Sequence, residues 1–362
     1  MAALDDLRKG GRPMKLAEKA RDLGIGVFLV ALVILVFFVS LFMGRYAIEP
    51  VTVITILLAG INDALPFSIV NIPQTWPDVM NTVILRIRLP RIFAAMLVGA
   101  GLAISGASFQ GLFRNPLVSP SILGVAAGAG FGAALGILLS DSTMVVQVLA
   151  FVFGIISVAA TYLLSRVYKT TTTTLVLVLS GIIVGAFFTA LISLSKYVAD
   201  PDEELPAIVF WLMGSLADVS TSDLFWVGAT IITGSAVLML IRWRINILAM
   251  GEDEAKSLGV NTRLMTGVII VAATFITAAA VCIAGLVGWV GLVVPHIARM
   301  LVGPDYKKIL PVSIMIGAAY LLAVDDIART LTTAEIPLGI LTAIIGAPVF
   351  AYLLRFRKVG WE

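Results

Sequence analysis

The chain has 362 residues, 60% of them hydrophobic and only 13% charged, with a formal net charge of +3. A mean hydropathy of +1.05 and several apolar runs of about 20 residues exclude a soluble globular domain and specify a polytopic helical membrane protein. One cysteine, Cys282, and one histidine, His296, exclude an intrachain disulfide and a Cys or His metal cluster.

Lys9, Arg12, Lys15, Lys19 and Arg21 precede a first span over 23–44. Its apolar run is too long for a cleavable signal, so it reads as a retained helix. A mixed segment follows to residue 91. Its VTVITILLAG stretch at 51–60 is too short to cross a bilayer. Further spans are expected over 92–113, 117–140, 144–165, 175–195, 223–241, 264–286, 289–302, 309–327 and 336–354. This gives ten crossings, with 51–60 and 207–217 lying at or near one face. With both termini in the cytoplasm, most of the 25 Lys and Arg fall inside and most of the 22 acids outside, the positive-inside bias. The domain reading is a cytoplasmic segment 1–22 and a single transmembrane domain 23–358.

Three intramembrane patterns carry information. Gly124, Gly128, Gly132 and Gly136 repeat every four residues and give one helix a smooth side for close packing. FRNPLVSP at 113–120 and GLVGWVGLVVPH at 285–296 interrupt spans, as broken helices do where they are buried or line a path. KTTTTT at 169–174 brings hydroxyls to a helix entry, as caps or as a ring around a pore.

The segment Arg242–Arg263, RWRINILAMGEDEAKSLGVNTR, is a charged island between apolar runs. Its acids open a short helix that Gly259 can end. A helix that short needs something to rest on, the membrane domain or a partner. The alternative is a solvated connecting loop. No Asp, Glu or His relay sits mid-membrane, as an ion-coupled carrier needs, and Asp325 and Asp326 lie near an outer end. No nucleotide-binding or hydrolase motif is present. Uphill movement of a solute would therefore draw its energy through contact with another protein, and the island is the surface for it.

ILRIRLPRIFAAMLVGAGLAISGASFQGLFRNPLVSPSILGVAAGAG (84–130), MGEDEAKSLGV, GLVGWVGLVVPHIARMLVGPD (285–305) and IPLGILTAIIGAPVFAYLL resemble the FecCD family. Its members are permease subunits of ATP-driven importers for ferric siderophores, haem and cobalamin. The resemblance runs from about residue 84 to 358. It implies an all-α fold of ten transmembrane helices per subunit, a homodimer, two copies of a cytoplasmic ABC ATPase and an extracytoplasmic solute-binding protein, in the inner membrane of a prokaryote. Lipid surrounds such a chain and nucleic acid has no part. The chain would hold no catalytic residue, metal or cofactor, with ATP and Mg on the ATPase. By resemblance, Gly251, Glu252, Glu254, Ala255, Leu258 and Gly259 couple to the ATPase. Arg88, Arg91 and Arg329 dock the binding protein. Asn115, Leu117, Thr173 and Thr174 line or gate the path. Leu175 departs from the pattern, since a family member carries a hydroxyl there. The cargo implied is an iron chelate, with haem, cobalamin or an oxyanion as alternatives. An ion-coupled secondary transporter is the competing class.

Overall fold

A computed structural model describes residues 2–64, 73–167 and 173–355, with side chains over 20–63, 73–167 and 175–353. The described chain is all helical. Its elements are α1 (Ala2–Phe42), α2 (Pro50–Ala64), α3 (Asp78–Asn81), α4 (Leu89–Phe113), α5 (Val125–Leu139), α6 (Thr143–Val167), α7 (Thr173–Val198), α8 (Glu204–Met213), α9 (Thr221–Met250), α10 (Glu252–Ser257), α11 (Thr262–Ala284), α12 (Val290–Val302), α13 (Tyr306–Thr330) and α14 (Leu338–Arg355). A π-helical stretch, Thr82–Arg88, joins α3 to α4, and a 3-10 turn, Pro120–Leu123, precedes α5.

Helix α4 is the axis of the bundle. It packs on α9, α11, α12 and α13, and residues on all its faces are buried. Such a helix must be apolar or small all round, and its sequence, LPRIFAAMLVGAGLAISGASFQGLF, is. Glycines set the spacing. A Cβ on Gly106 would collide with the backbone of Gly291, and one on Gly317 with the carbonyl of Gly99. Backbones that close are held by dispersion contacts rather than by hydrophobic exclusion, which is weak between helices in lipid. The Pro90 ring, which cannot donate and would crowd a regular turn, follows the wider π turns, where the Leu89 N–H reaches back to the Ile84 carbonyl. The helix therefore continues without a break across 78–113.

The glycine stripe splits into two roles. Gly128 and Gly132 lie against the α6 backbone at Phe153 and Leu149, and Gly136 against Val146. Gly124 precedes α5 in a left-handed turn at φ +84°, and its carbonyl accepts the Ser157 hydroxyl at 2.8 Å. Both interruptions are present. The first runs from Arg114, at φ +51°, to Gly124, and the second over 285–289. Each mixes buried and exposed residues, with Val118, Pro120 and Leu123 buried in the first and Gly285 and Val287 in the second.

Among the described residues seven helices are long and apolar enough to cross a membrane, fewer than the ten expected. Of the remaining three expected spans, α5 and α12 have 15 and 13 residues, and α14 is apolar over Leu338–Leu353. The two interruptions shorten α5 and α12. A second departure concerns the charged island. Residues 242–250 continue α9 without a break, because Ile241, Ile245 and Leu248 bury one face at helical spacing. At 30 residues, α9 is about 45 Å long and outruns a hydrocarbon core of about 30 Å.

Candidate functional site

The polar chemistry gathers at the two ends of the bundle. At one end, α9 stops at Gly251, whose φ of +144° favours a residue without Cβ. A Cβ there would also strike the Glu254 carboxylate. Helix α10 follows, and its last turn closes through Gly259 at φ +76°, whose N–H donates to the Lys256 carbonyl at 2.9 Å. Asn261 then caps α11 by accepting the Leu264 N–H at 3.0 Å. Only Ala255 in α10 is buried, against α9 and α11. Glu252, Asp253 and Glu254 are exposed, as are Met250 and Leu258, at 63% and 60%. The hairpin thus offers two exposed apolar side chains, Met250 and Leu258, beside an exposed acidic turn. Lys256 pairs with Glu252 at 3.1 Å, and this hydrogen bond holds its ammonium above the usual lysine range.

A buried polar network braces this end, and nothing in the sequence patterns announced it. Arg299 donates to the Tyr306 hydroxyl at 3.0 Å and to Gln110 at 3.5 Å. Asn246 accepts the Tyr306 N–H at 2.7 Å and donates to Asp305 at 2.5 Å. The four helices α4, α9, α12 and α13 are tied at one level. The only prior signal is polar residues flanking the conspicuous GPD turn at 303–305.

Asn115 and Leu117 sit in the connection after α4. The Asn115 side chain accepts the Leu117 N–H at 2.9 Å, an Asx turn, and Leu117 is 55% exposed. Thr173 and Thr174 open α7, but their side chains, and the tract 169–172 before them, lie outside the described residues. Leu175 is exposed at 57%.

At the opposite end the three arginines turn inward. Arg88, Arg91 and Arg329 are exposed by only 3%, 7% and 6%. Arg91 makes a forked pair with Asp325, Nε to Oδ2 and Nη2 to Oδ1 both at 2.9 Å. Its other edge holds Glu335, Nη1 to Oε1 and Nη2 to Oε2, also at 2.9 Å. Arg88 donates to the Leu41 carbonyl at 2.7 Å and the Tyr46 carbonyl at 2.5 Å. Arg329 donates to the Ser40 carbonyl at 2.7 Å and to Asp326 at 2.5 Å. Two of the arginines therefore satisfy the last carbonyls of α1, where cations also complement the helix dipole. Gly44 leaves room for this, since a Cβ there would lie 2.5 Å from the Arg88 guanidinium. The exposed cations of this end are Arg45 and Arg86.

Among the described residues no three His, Cys, Asp or Glu gather in a way that could hold a metal ion. His296 lies on α12, its ring 6.0 Å from that of Phe350, in a packed setting.

The profile of the FecCD transport family matches residues 32–356. The molybdate import system permease protein MolB of Haemophilus influenzae is 40% identical over 332 residues, 92% of this chain and 95% of that protein. A probable iron chelatin transport system permease protein of Helicobacter pylori is 40% identical over 281 residues, 78% of this chain and 84% of that protein. A solved metal-chelate type ABC transporter in an inward-facing conformation superposes with a TM-score of 0.80 at 39% identity, over 91% of this chain and 98% of the other.

Proposed function

Since the chain belongs to the FecCD transport family, the permeases of ABC importers, we propose that it carries an iron chelate inward across a prokaryotic inner membrane, with both termini in the cytoplasm. The observation that carries this reading is the α9–α10–α11 hairpin, an acidic and apolar knob braced on long helices, with Met250 and Leu258 left exposed. A separate ATPase, holding ATP and Mg, would seat Glu252, Glu254 and Leu258. Gly251, Ala255 and Gly259 shape the turn that presents them. Two ATPase copies would move two copies of this chain against each other, and alternating access follows as the knob drags α9 and α11. The chain performs no bond chemistry in this scheme.

The extracytoplasmic binding protein would dock over the arginine end. Arg88, Arg91 and Arg329 act there chiefly by holding α1, α4 and α13 in one arrangement. Arg91 becomes available to an incoming carboxylate only by exchange with Glu335, whose side chain is 25% exposed. Asn115, Leu117, Thr173 and Thr174 are proposed to line the path at the α10 end.

A second cargo reading, a molybdate-like oxyanion, is favoured by the near full-length similarity to MolB. Haem and cobalamin would follow the same mechanism. Uptake into vesicles holding the chain, its ATPase and its binding protein tests the class. Accumulation with ATP and none with an ion gradient alone supports the reading. Accumulation on the gradient alone refutes it.

A further inference from the structure

An open groove of about 920 Å³ runs between α9 and α11. Its floor is Gly234 and Val237 on α9 and Gly267 and Val268 on α11. Gly267 has nothing within 4 Å of where a Cβ would stand, so a notch opens one turn from Arg263. Val271 and Phe275 continue the wall outward, 57% and 40% exposed. At the end away from Arg263, the Phe275 ring packs 5.9 Å from that of Phe151. The near end carries Arg263, exposed and without an ion pair among the described residues.

The dimensions identify an occupant. From Arg263 to Phe275 α11 rises about 18 Å, close to one leaflet of a hydrocarbon core about 30 Å thick. Arg263 at the interface and an apolar channel below it complement a phosphate above an acyl chain. Further along α9, Trp243 is 45% exposed, with the Arg244 guanidinium 5.2 Å from its ring, an aromatic and a cation of the kind that anchor at a membrane interface. We propose that this groove holds one acyl chain of an anionic glycerophospholipid, with its phosphate against Arg263. The site lies between the two helices that carry α10, so occupancy would stiffen the hairpin. Assigning it to the cytoplasmic leaflet and to coupling rests on the transport reading.

The test is native mass spectrometry of the full chain released from nanodiscs of phosphatidylglycerol or phosphatidylcholine with identical acyl chains. The wild type is expected to retain one phosphatidylglycerol about fivefold more strongly than phosphatidylcholine, the factor one interfacial cation contributes. Arg263→Gln, at an exposed position, should erase the preference while apolar retention persists. Gly267→Leu should fill the notch and lower retention of both lipids. Equal retention by the wild type, or a preference that survives Arg263→Gln, overturns the proposal. So does disulfide cross-linking between copies through Val271→Cys, which would show the face covered by a second chain. A chain that prefers phosphatidylglycerol but shows no ATP-driven uptake would refute the transport reading and leave the lipid site standing.

Discussion

Arg91 on α4 and Asp325 on α13 form a buried, two-point ion pair between residues 234 positions apart, and Asp325 is fully shielded from solvent. Removing Asp325 leaves the buried Arg91 with Glu335 as its one carboxylate, so the cost falls below the ~3–5 kcal/mol of a buried charge left wholly unpaired. Asp325→Ala should therefore lower the thermal midpoint of the detergent-purified chain. The double variant Arg91→Met with Asp325→Leu should lose less than either single change. A double variant that loses the sum of the two would show that the pair is not a coupled unit.

The glycine contacts make a separate prediction. Gly317 and Gly99 approach so closely that a methyl on either meets the other's carbonyl. Gly317→Ala should destabilise by overpacking, about 1–3 kcal/mol, although alanine is the better helix former. Gly26, with nothing near its Cβ position, should accept alanine without loss. Thermal unfolding of the two variants side by side checks the contrast.

Much of this architecture was readable in the sequence, for physical reasons. Apolar length gave the helices, Gly and Pro gave both interruptions, and Gly259 gave the end of α10. The island was misjudged where Arg242 and Arg244 looked like a loop, since each long side chain can sit on a helix whose other face is buried through Ile245 and Leu248. The inward turn of Arg88, Arg91 and Arg329 was not readable. Their partners, Leu41, Asp325 and Ser40, lie far away in sequence or on another helix, and residue type alone does not distinguish a buried arginine from a docking one. The same holds for Gln110, Arg299 and Tyr306, which three helices bring together.

Burial separates two classes of arginine at the end where the binding protein is proposed to dock. Arg88→Glu and Arg329→Glu should lower both thermal stability and capture of the cognate binding protein, because each places a carboxylate beside the carbonyls of α1. Arg86→Glu, at an exposed site, should weaken capture by about 1 kcal/mol or less with stability unchanged, with the loss falling mainly on the association rate. Glu335→Gln weakens the internal hold on Arg91 and should strengthen capture. Surface-immobilised binding protein reads all four, and unaltered capture by Glu335→Gln would remove the exchange at Arg91 from the account.

The most direct measurement is solute-stimulated ATP hydrolysis by the assembled transporter after excision of Glu252–Leu258. The excised turn buries only Ala255, so the bundle should remain folded and its thermal midpoint close to that of the intact chain. Hydrolysis should lose its response to the loaded binding protein. A folded permease whose ATPase still responds fully without this turn would contradict the claim that α10 is where the motor engages.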